Sequence, residues 1–251
     1  MKVYSNLDKV ELFVNGKSMG TQNSIKGVSY WNVAFVNGKN SLIARGINEN
    51  RTCEDAMQID FEIIPALLSQ ANEKSFELAV NVGSNCFFID PVNSTTWLPD
   101  QEYKSGSFGY VGGEIFRTSD KRIGHQSEVN QTRNVPLYQT FRYGLTNYKF
   151  DVSDGEYEVE LHFADLSSKQ TKTVYDVNET ESKSKEISQF NIIINDVRVL
   201  ENFCPSVQYG ALTAVPKTFV IEAKSMKGIT ISFEKEIGNT FVNAIKIRRL
   251  N

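Results

Sequence analysis

Short runs of β-forming residues, each ended by a tight-turn signal, constrain this chain more than any other feature of its sequence. Between residues 9 and 64, Asn15-Gly16 and Asn37-Gly38 each follow such a run, and Asn-Gly between alternating runs is a strong signal for a β-hairpin. Later in the chain, Asp154-Gly155 and Asn195-Asp196 supply further turns. Because no long helical period interrupts the pattern, the sequence predicts an all-β protein and argues against an α/β enzyme fold.

The predicted strands fall into two groups, separated by a stretch without β alternation. The first group predicts a small antiparallel sandwich over residues 1–63, and residues 64–74 are predicted as a linker. The number and spacing of the runs in residues 75–251 predict a larger β-sandwich of the jelly-roll type. Its predicted strands are 76–82, 148–152, 157–164, 190–194, 197–200, 218–223, 229–233 and 242–247.

Two segments of the second group break the β pattern. Residues 86–139 contain scattered aromatic residues and the Gly-rich piece 106–113. We expect this segment to be a long loop that carries function, since long ordered loops in compact domains usually do. Residues 169–189 have almost nothing to bury and are predicted to form a mobile surface insertion.

Composition and charge narrow the classes of function. The 251 residues carry 27 Lys and Arg against 30 Asp and Glu, a net charge of −3, which provides no basic footprint for nucleic acid. No run reaches the roughly 18 apolar residues of a membrane helix. The three cysteines lie far apart, without a C-x-x-C pair. We therefore expect a protein that binds neither nucleic acid nor membrane and that has no zinc site.

The usual catalytic motifs are missing from the sequence. Its two histidines, His125 and His162, are isolated, and no G-x-S-x-G elbow or H-E-x-x-H motif occurs. Strand alternation places His162 opposite Leu161 and Phe163, which predicts a structural or surface role. We predict no catalytic residue, no metal site and no cofactor, and a structural calcium ion held by loop oxygens stays an open alternative.

Aromatic residues in the irregular segments are the best lead to a ligand. Sugar rings present C–H faces that pack on aromatic rings, and their hydroxyls hydrogen-bond to acid, amide and guanidinium groups. Polar side chains of these kinds stand nearby at Asp90, Asp100, Gln139, Arg142 and Asn239. The alternative interpretation is that the rings close the core beneath long loops, and the composition favours neither interpretation.

Several motifs follow one another in a characteristic order along the second region. They are Ala79-Val80-Asn81-Val82-Gly83-Ser84, Trp97-Leu98-Pro99-Asp100, Phe108-Gly109-Tyr110-Val111-Gly112-Gly113, Leu137-Tyr138-Gln139-Thr140-Phe141-Arg142-Tyr143, the run from Asp154 to Asp165, and Val242-Asn243-Ala244-Ile245-Lys246-Ile247. In this order they resemble the malectin domain, also classed as carbohydrate-binding module family 57. The resemblance covers residues 75–251 and implies a lectin-like β-sandwich that holds sugar among loops at one end.

The N-terminal region has a different resemblance. Val3-Tyr4-Ser5-Asn6 and the run from Val10 to Gly20 are similar to the small immunoglobulin-like domain that follows the barrel in bacterial β-galactosidase-like enzymes of glycoside hydrolase family 2. Together the two resemblances imply the C-terminal region of a multidomain glycosidase, without the barrel that holds the catalytic glutamates. On this interpretation the chain is not itself an enzyme.

The resemblance to the malectin domain also implies where sugar binds. The family's two site tyrosines fall on Tyr110 and Tyr143, whereas its aromatic pair falls on Ser167 and Ser168. The family's late aspartate falls near Gly238, with Asn239 beside it. Part of the family site is therefore altered in this chain.

The predicted carbohydrate-binding residues are Tyr110 and Tyr143 as stacking platforms, with Asp90, Arg142 and Asn239 as hydrogen-bonding partners. On this hypothesis the chain is a non-catalytic accessory region, and its partners are an oligosaccharide and the catalytic barrel of the parent enzyme. The alternative hypothesis is structural: both regions pack on the barrel or on a second subunit, and neighbouring side chains bury the two tyrosines of a vestigial site. The resemblance also implies a periplasmic or secreted protein.

Overall fold

The computed structural model describes residues 1–36, 38–48, 51–61, 68, 76–166 and 187–250. The chain divides into two compact units, Met1–Pro65 and Ala66–Asn251. The predicted linker, residues 64–74, lies outside the described residues except for Leu68, which is buried in the core of the second unit. The predicted insertion, residues 169–189, is described only from residue 187 onward.

The first unit consists of two small antiparallel sheets. Its strands are β1 (Lys2–Tyr4), β2 (Lys9–Val14), β3 (Lys17–Asn23), β4 (Val28–Tyr30), β5 (Gly38–Asn48) and β6 (Arg51–Phe61). One sheet has the order β3-β2-β5-β6, and the other pairs β1 with β4. Alternate residues of β2, namely Val10, Leu12 and Val14, are buried together with Trp31 and Leu42 because successive side chains of a strand face opposite sides.

The predicted hairpin turn Asn15-Gly16 joins β2 to β3. Both residues have positive φ values, 51° and 78° respectively. A two-residue hairpin needs left-handed backbone at its central positions, and Asn and Gly are the residues that adopt it at least cost. The structure confirms this turn and the all-β class of the first unit.

The second unit is a sandwich of two larger sheets. Its strands are β7 (Glu77–Asn81), β8 (Phe88–Ile89), β9 (Thr96–Pro99), β10 (Phe108–Ile115), β11 (Arg142–Phe150), β12 (Gly155–Phe163), β13 (Gln189–Ile194), β14 (Val197–Phe203), β15 (Val215–Ala223), β16 (Ile229–Ile237), β17 (Phe241–Val242) and β18 (Ala244–Arg249). One sheet has the order β10-β11-β16-β13-β14, with β17 beside β11, and the other has the order β15-β12-β18-β7-β9-β8. This arrangement confirms the predicted all-β sandwich.

In addition to a smaller cluster that includes Trp97 and Tyr138, a large apolar core fills the second unit. Its largest side chains include Tyr148 and Phe150 of β11, Tyr157 and Phe163 of β12, and Phe190 of β13, all with 0% exposure. Aromatic side chains of this size bury a large area each and therefore contribute strongly to the stability of the sandwich. The core holds in place the strand ends that carry the loops described below.

The Gly-rich segment 106–113 is mostly strand, so the prediction of a loop there was wrong. Strand β10 pairs with β11 along its length, and the register shifts at a β-bulge between Val111 and Gly112. Gly113 has a φ of +73°, and a Cβ atom there would lie 2.7 Å from the carbonyl oxygen of Tyr143. Glycines that permit a bulge weaken the sequence signal of a strand, which explains the error.

Helices are short in the part of the chain that the structure describes. They are α1 (Val135–Tyr138) and α2 (Pro205–Tyr209). Neither approaches the length and apolar character that a membrane-crossing helix requires, and no other described segment does.

Candidate functional site

Two adjoining cavities lie at the end of the second unit where β10, β12 and β16 finish and where β11 and β13 begin. The first cavity has a volume of about 430 Å³ and the second of about 450 Å³. Arg117 and Tyr143 line both. Volumes of this order are typical of sites for small ligands.

The two cavities differ in chemical character. Aromatic rings of Phe116, Phe141 and Phe241 line the first, together with Asp165 and Asn239. Phe116 and Phe141 are stacked at a centroid distance of 4.5 Å, and Phe141 meets Phe241 edge-on at 5.8 Å. The first cavity therefore offers apolar ring surface with polar groups at its border.

The second cavity is more polar and is formed by β10 and the start of β11. Its lining includes Tyr110, Glu114 and Arg142. In the ladder between the strands, Glu114 lies opposite Tyr143. A ligand that spans both cavities would thus meet ring surface on one side and charged groups on the other.

Tyr143 lies between the cavities and is half-buried. Its hydroxyl donates a hydrogen bond to Oε2 of Glu114 at 2.9 Å. That hydrogen bond, helped by partial burial and by the negative charge of Glu114, raises the pKa of Tyr143 above its usual value. The ring of Tyr143 is therefore held in one orientation and stays neutral at physiological pH.

Arg142 and Asp100 form a buried ion pair beneath the second cavity. The Arg142 Nε atom lies 3.0 Å from Asp100 Oδ2, and the two side chains are 5% and 2% exposed. Asp100 also accepts hydrogen bonds from the Gly83 amide and the Tyr148 hydroxyl, both at 2.9 Å. Burial raises the pKa of Asp100, whereas the Gly83 amide and the positive charge of Arg142 oppose that shift.

The guanidinium of Arg142 also covers one face of the Tyr110 ring. Its central carbon lies 3.2 Å from the ring centroid, a close cation–π contact. A second nitrogen, Nη1, donates to the Gly113 carbonyl at 3.0 Å. Tyr110 therefore has one face occupied by protein and can offer at most the other face to a ligand.

Asp90 is placed apart from the other predicted site residues. It lies in the loop after β8 and accepts hydrogen bonds from the amides of Val92 and Asn93 at 2.7 and 3.2 Å. Burial disfavours its charged form, but these hydrogen bonds outweigh burial and lower the pKa of Asp90. Asp90 lines neither of the two cavities, and its carboxylate stabilises the loop to which it belongs.

Asn239 is exposed and lines the first cavity. It follows Gly238, where a Cβ atom would lie 2.4 Å from the Ile187 carbonyl oxygen. The structure therefore brings Asn239 and Tyr143 to one cavity, and Tyr110, Arg142 and Tyr143 to the other. Ser167 and Ser168 lie outside the described residues.

Sequence reasoning did not single out Arg117, Glu114 or Asp165, which all line the cavities. Glu114 is found only through the pairing register of β10 and β11. Arg117 follows Phe116 directly, two residues beyond the end of β10. That position, beside an aromatic residue, was the sequence signal that could have identified Arg117 as a site residue. Sequence reasoning mentioned Asp100 without assigning its ion pair with Arg142.

A separate polar cluster lies between α1 and β12 and lines neither cavity. Nδ1 of buried His162 is hydrogen-bonded to the Tyr138 hydroxyl at 2.7 Å, and Nε2 lies 3.2 Å from Oε1 of Glu160. Burial, together with the charge of Glu160, raises the pKa of Tyr138. Both ring nitrogens therefore face side-chain partners, and of the two predicted alternatives, a structural or a surface role, the burial of His162 fits the structural one.

Metal ligands do not gather anywhere in the described ranges. No group of three or more His, Cys, Asp or Glu side chains there could hold a metal ion. A structural calcium ion held by loop oxygens stays an open alternative.

Comparison with known families matches both units. Residues 76–246 match the malectin domain. Residues 1–53 match a family described as a domain of unknown function, DUF4982.

Similar proteins include glycosidases. Over 68 residues the chain is 41% identical to a putative β-glucuronidase of Formosa agariphila, a match that covers 24% of this chain and 8% of that protein. A solved β-glucuronidase of Bacteroides uniformis is 36% identical, with a TM-score of 0.71, over 100% of this chain and 27% of its own. Bacteroides uniformis β-glucuronidase 2 covalently bound to cyclophellitol-6-carboxylate aziridine shows the same identity, coverage and TM-score. The chain thus spans about a quarter of the length of these solved relatives.

These matches confirm the resemblance to a region of family 2 glycoside hydrolases, but they do not support a β-galactosidase-like parent. The relatives named above are β-glucuronidases. The motifs used in the prediction belong to accessory sandwiches and carry no information about which sugar a catalytic domain cleaves. The match to the malectin domain spans more than half of the residues of this chain. The chain therefore belongs to the malectin domain family.

Proposed function

We propose that the second unit binds a glycan in the two adjoining cavities and that the chain is a non-catalytic accessory region of a β-glucuronidase-like glycoside hydrolase. The observation that carries this proposal is the pair of cavities joined by Tyr143 and Arg117. One cavity supplies aromatic ring surface and the other supplies polar groups, which is the combination that a sugar requires.

The residues of the site have distinct tasks in this proposal. Tyr143, fixed by Glu114, provides a ring against which a sugar face packs. Asn239 offers an exposed amide that both donates and accepts hydrogen bonds. Tyr110 contributes through the ring face that Arg142 leaves uncovered.

The accessory role rests on the relatives and on the extent of the match. The chain covers 27% of the Bacteroides uniformis β-glucuronidase. We propose that the catalytic barrel of the parent enzyme is its second partner, beside the glycan, and that the parent is exported to the periplasm or outside the cell. We also propose the domain limits 1–63 and 75–251, joined by a linker at 64–74, and the family matches to residues 1–53 and 76–246 support them.

Calorimetric titration of the 251-residue chain with a glycan panel tests the binding proposal. The panel contains galactosides, glucosides, glucuronides, and pectin and hemicellulose oligosaccharides. We expect at least one ligand to bind at sub-millimolar affinity, and we expect Tyr143→Ala to abolish that binding. Tyr30→Ala is the matched control, because Tyr30 is an exposed tyrosine of the first unit.

Two results would overturn the proposal. Silence across the panel, with the chain shown to be folded by circular dichroism, would favour the structural alternative, in which both units pack on the parent barrel. Binding that Tyr30→Ala abolishes and Tyr143→Ala leaves intact would move the sugar site to the first unit.

A further inference from the structure

We propose that the glycan bound at the two cavities is acidic and that Arg117 pairs with the carboxylate of a uronic acid residue. This inference rests on the proposed glycan-binding function and specifies the class of glycan. It is built on Arg117, which belongs to the lining of both cavities and which the resemblance to malectin domains does not assign.

Arg117 carries a charge that no described carboxylate neutralises. Among the described residues, no Asp or Glu oxygen lies within ion-pair distance of its guanidinium, although the side chain is exposed at the border of the cavities. Arg142 differs, since Asp100 neutralises it beneath the second cavity. Arg122, five positions beyond Arg117, is paired with Asp120. Arg117 is therefore the arginine of this region that is available to an anionic ligand.

The guanidinium of Arg117 is held in position before any ligand binds. Its Nη1 atom donates to the Lys121 carbonyl at 3.1 Å. A bridge between Arg117 and Ile123 and a hydrogen bond from the Lys121 amide to the Thr118 carbonyl at 2.8 Å close the turn around it. The other guanidinium nitrogens remain for a planar, two-pronged contact with a carboxylate, and fixing the side chain in advance reduces the entropy cost of binding.

Two acids also line the cavities and affect where a carboxylate can lie. Glu114, in the second cavity, already accepts the hydrogen bond of the Tyr143 hydroxyl. Asp165 is buried in the wall of the first cavity at 5% exposure. A ligand carboxylate is therefore expected at the junction of the cavities beside Arg117, with the neutral sugar ring against Tyr143.

The chemistry of the relatives is consistent with this assignment. The ligand bound to Bacteroides uniformis β-glucuronidase 2 carries a carboxylate at the position of C6. A module that binds uronic acid would keep a glucuronidase on polymers that contain its substrate, because tethering raises the effective concentration of the catalytic domain.

The test compares two oligosaccharide mixtures that differ only at the carboxyl group of the uronic acid. One is the acidic oligosaccharide mixture released from glucuronoxylan, and the other is the same mixture after its carboxyl groups are reduced to alcohols. Titration of the full chain is expected to show about tenfold tighter binding of the acidic mixture, since hydrogen bonds to charged groups are worth enough for a tenfold or larger effect. Arg117→Ala should remove that difference, so that the variant binds the acidic mixture no more tightly than the reduced mixture.

Arg122→Ala is the matched control, because it removes the same charge from the same loop at a residue that lines neither cavity. It should change neither affinity. Equal binding of the acidic and reduced mixtures, or an equal loss of both with Arg117→Ala, would overturn the preference for acidic glycans. If neutral glycans bind in a Tyr143-dependent manner without that preference, the proposed function stands and this inference fails. If no glycan binds the folded chain, both fail.

Discussion

Arg142 and Tyr143 are neighbours in β11, yet they belong to two regions with different physical character. The buried anchor consists of Arg142, Asp100 and the groups that hydrogen-bond to them, and its two charged side chains are almost fully hidden from solvent. The cavity rim consists of Arg117, Tyr143 and Asn239, which border the open cavities. Polar residues of the same types can therefore either support the structure of a site or bind a ligand. A polar residue that is buried and hydrogen-bonded within the protein has the supporting role.

The contrast between anchor and rim leads to separable consequences of mutation. Changes in the anchor should lower the free energy of unfolding, whereas changes in the rim should lower affinity and leave stability unaltered.

The largest effect is expected from breaking the anchor. Asp100→Ala leaves the charge of Arg142 buried without a partner and also removes an acceptor from the Gly83 amide and the Tyr148 hydroxyl. Removing one partner of a buried ion pair typically costs about 3–5 kcal/mol of unfolding free energy, and urea denaturation would measure it. The double variant Asp100→Ala with Arg142→Met should regain part of the loss. A cost below about 1 kcal/mol would show that the pair behaves like a surface salt bridge.

A smaller loss is expected at Asn243, a fully buried residue that is hydrogen-bonded to Ala164 of the first cavity's lining. Its side chain accepts from the Ala164 amide at 2.7 Å and donates to the carbonyls of Tyr138 and Thr140 at 2.8 and 3.0 Å. Asn243→Ala leaves these backbone groups without partners, at a cost of about 2–3 kcal/mol in a denaturant titration. Asn147→Ala is the control, because Asn147 is half-buried and accepts a hydrogen bond from Ser232. Equal costs for the two variants would contradict the account.

Glu160 should give stability a pH dependence that the rim does not share. The hydrogen bond with His162 lowers the pKa of Glu160 below its ordinary value of 4.5, and burial opposes this. A depressed folded pKa stabilises the fold above the unfolded pKa, and the contribution is lost as pH falls through the folded value. Thermal melting between about pH 3 and pH 7 should therefore show the difference between the native chain and Glu160→Gln shrinking below about pH 4.5. A difference that is constant with pH would exclude this linkage.

The smallest effect on stability is expected at the rim. Tyr143→Phe removes the hydroxyl that donates to Glu114 but keeps the ring, and the unfolding free energy should change by less than about 0.5 kcal/mol. If the ring supplies most of the contact with sugar, affinity should fall only a few-fold, whereas Tyr143→Ala should abolish binding. Equal losses of affinity in the two variants would show that the hydroxyl rather than the ring is decisive.

The sequence predicted the parts of this fold that local chemistry determines. The turn at Asn15-Gly16 was predictable because few residues adopt left-handed backbone at low cost. Strand β10 was not, because the glycines of its bulge conceal the strand pattern. Arg117 and Tyr143 line the same cavities because the end of β10 and the start of β11 meet in the fold. These two strand ends are distant in sequence, so the local pattern does not predict that they meet. Asp90 accepts hydrogen bonds from amides of its own loop, and the composition of the sequence does not reveal these hydrogen bonds.

A crystal structure of the chain with bound glucuronoxylan oligosaccharides tests the central claim most directly, namely that the cavity rim binds glycan while the buried anchor supports it. The account predicts a sugar ring packed on Tyr143, a carboxylate beside Arg117, and an unchanged ion pair between Arg142 and Asp100. Sugar bound outside the two cavities, or an Arg142 that leaves Asp100 to contact the ligand, would contradict it.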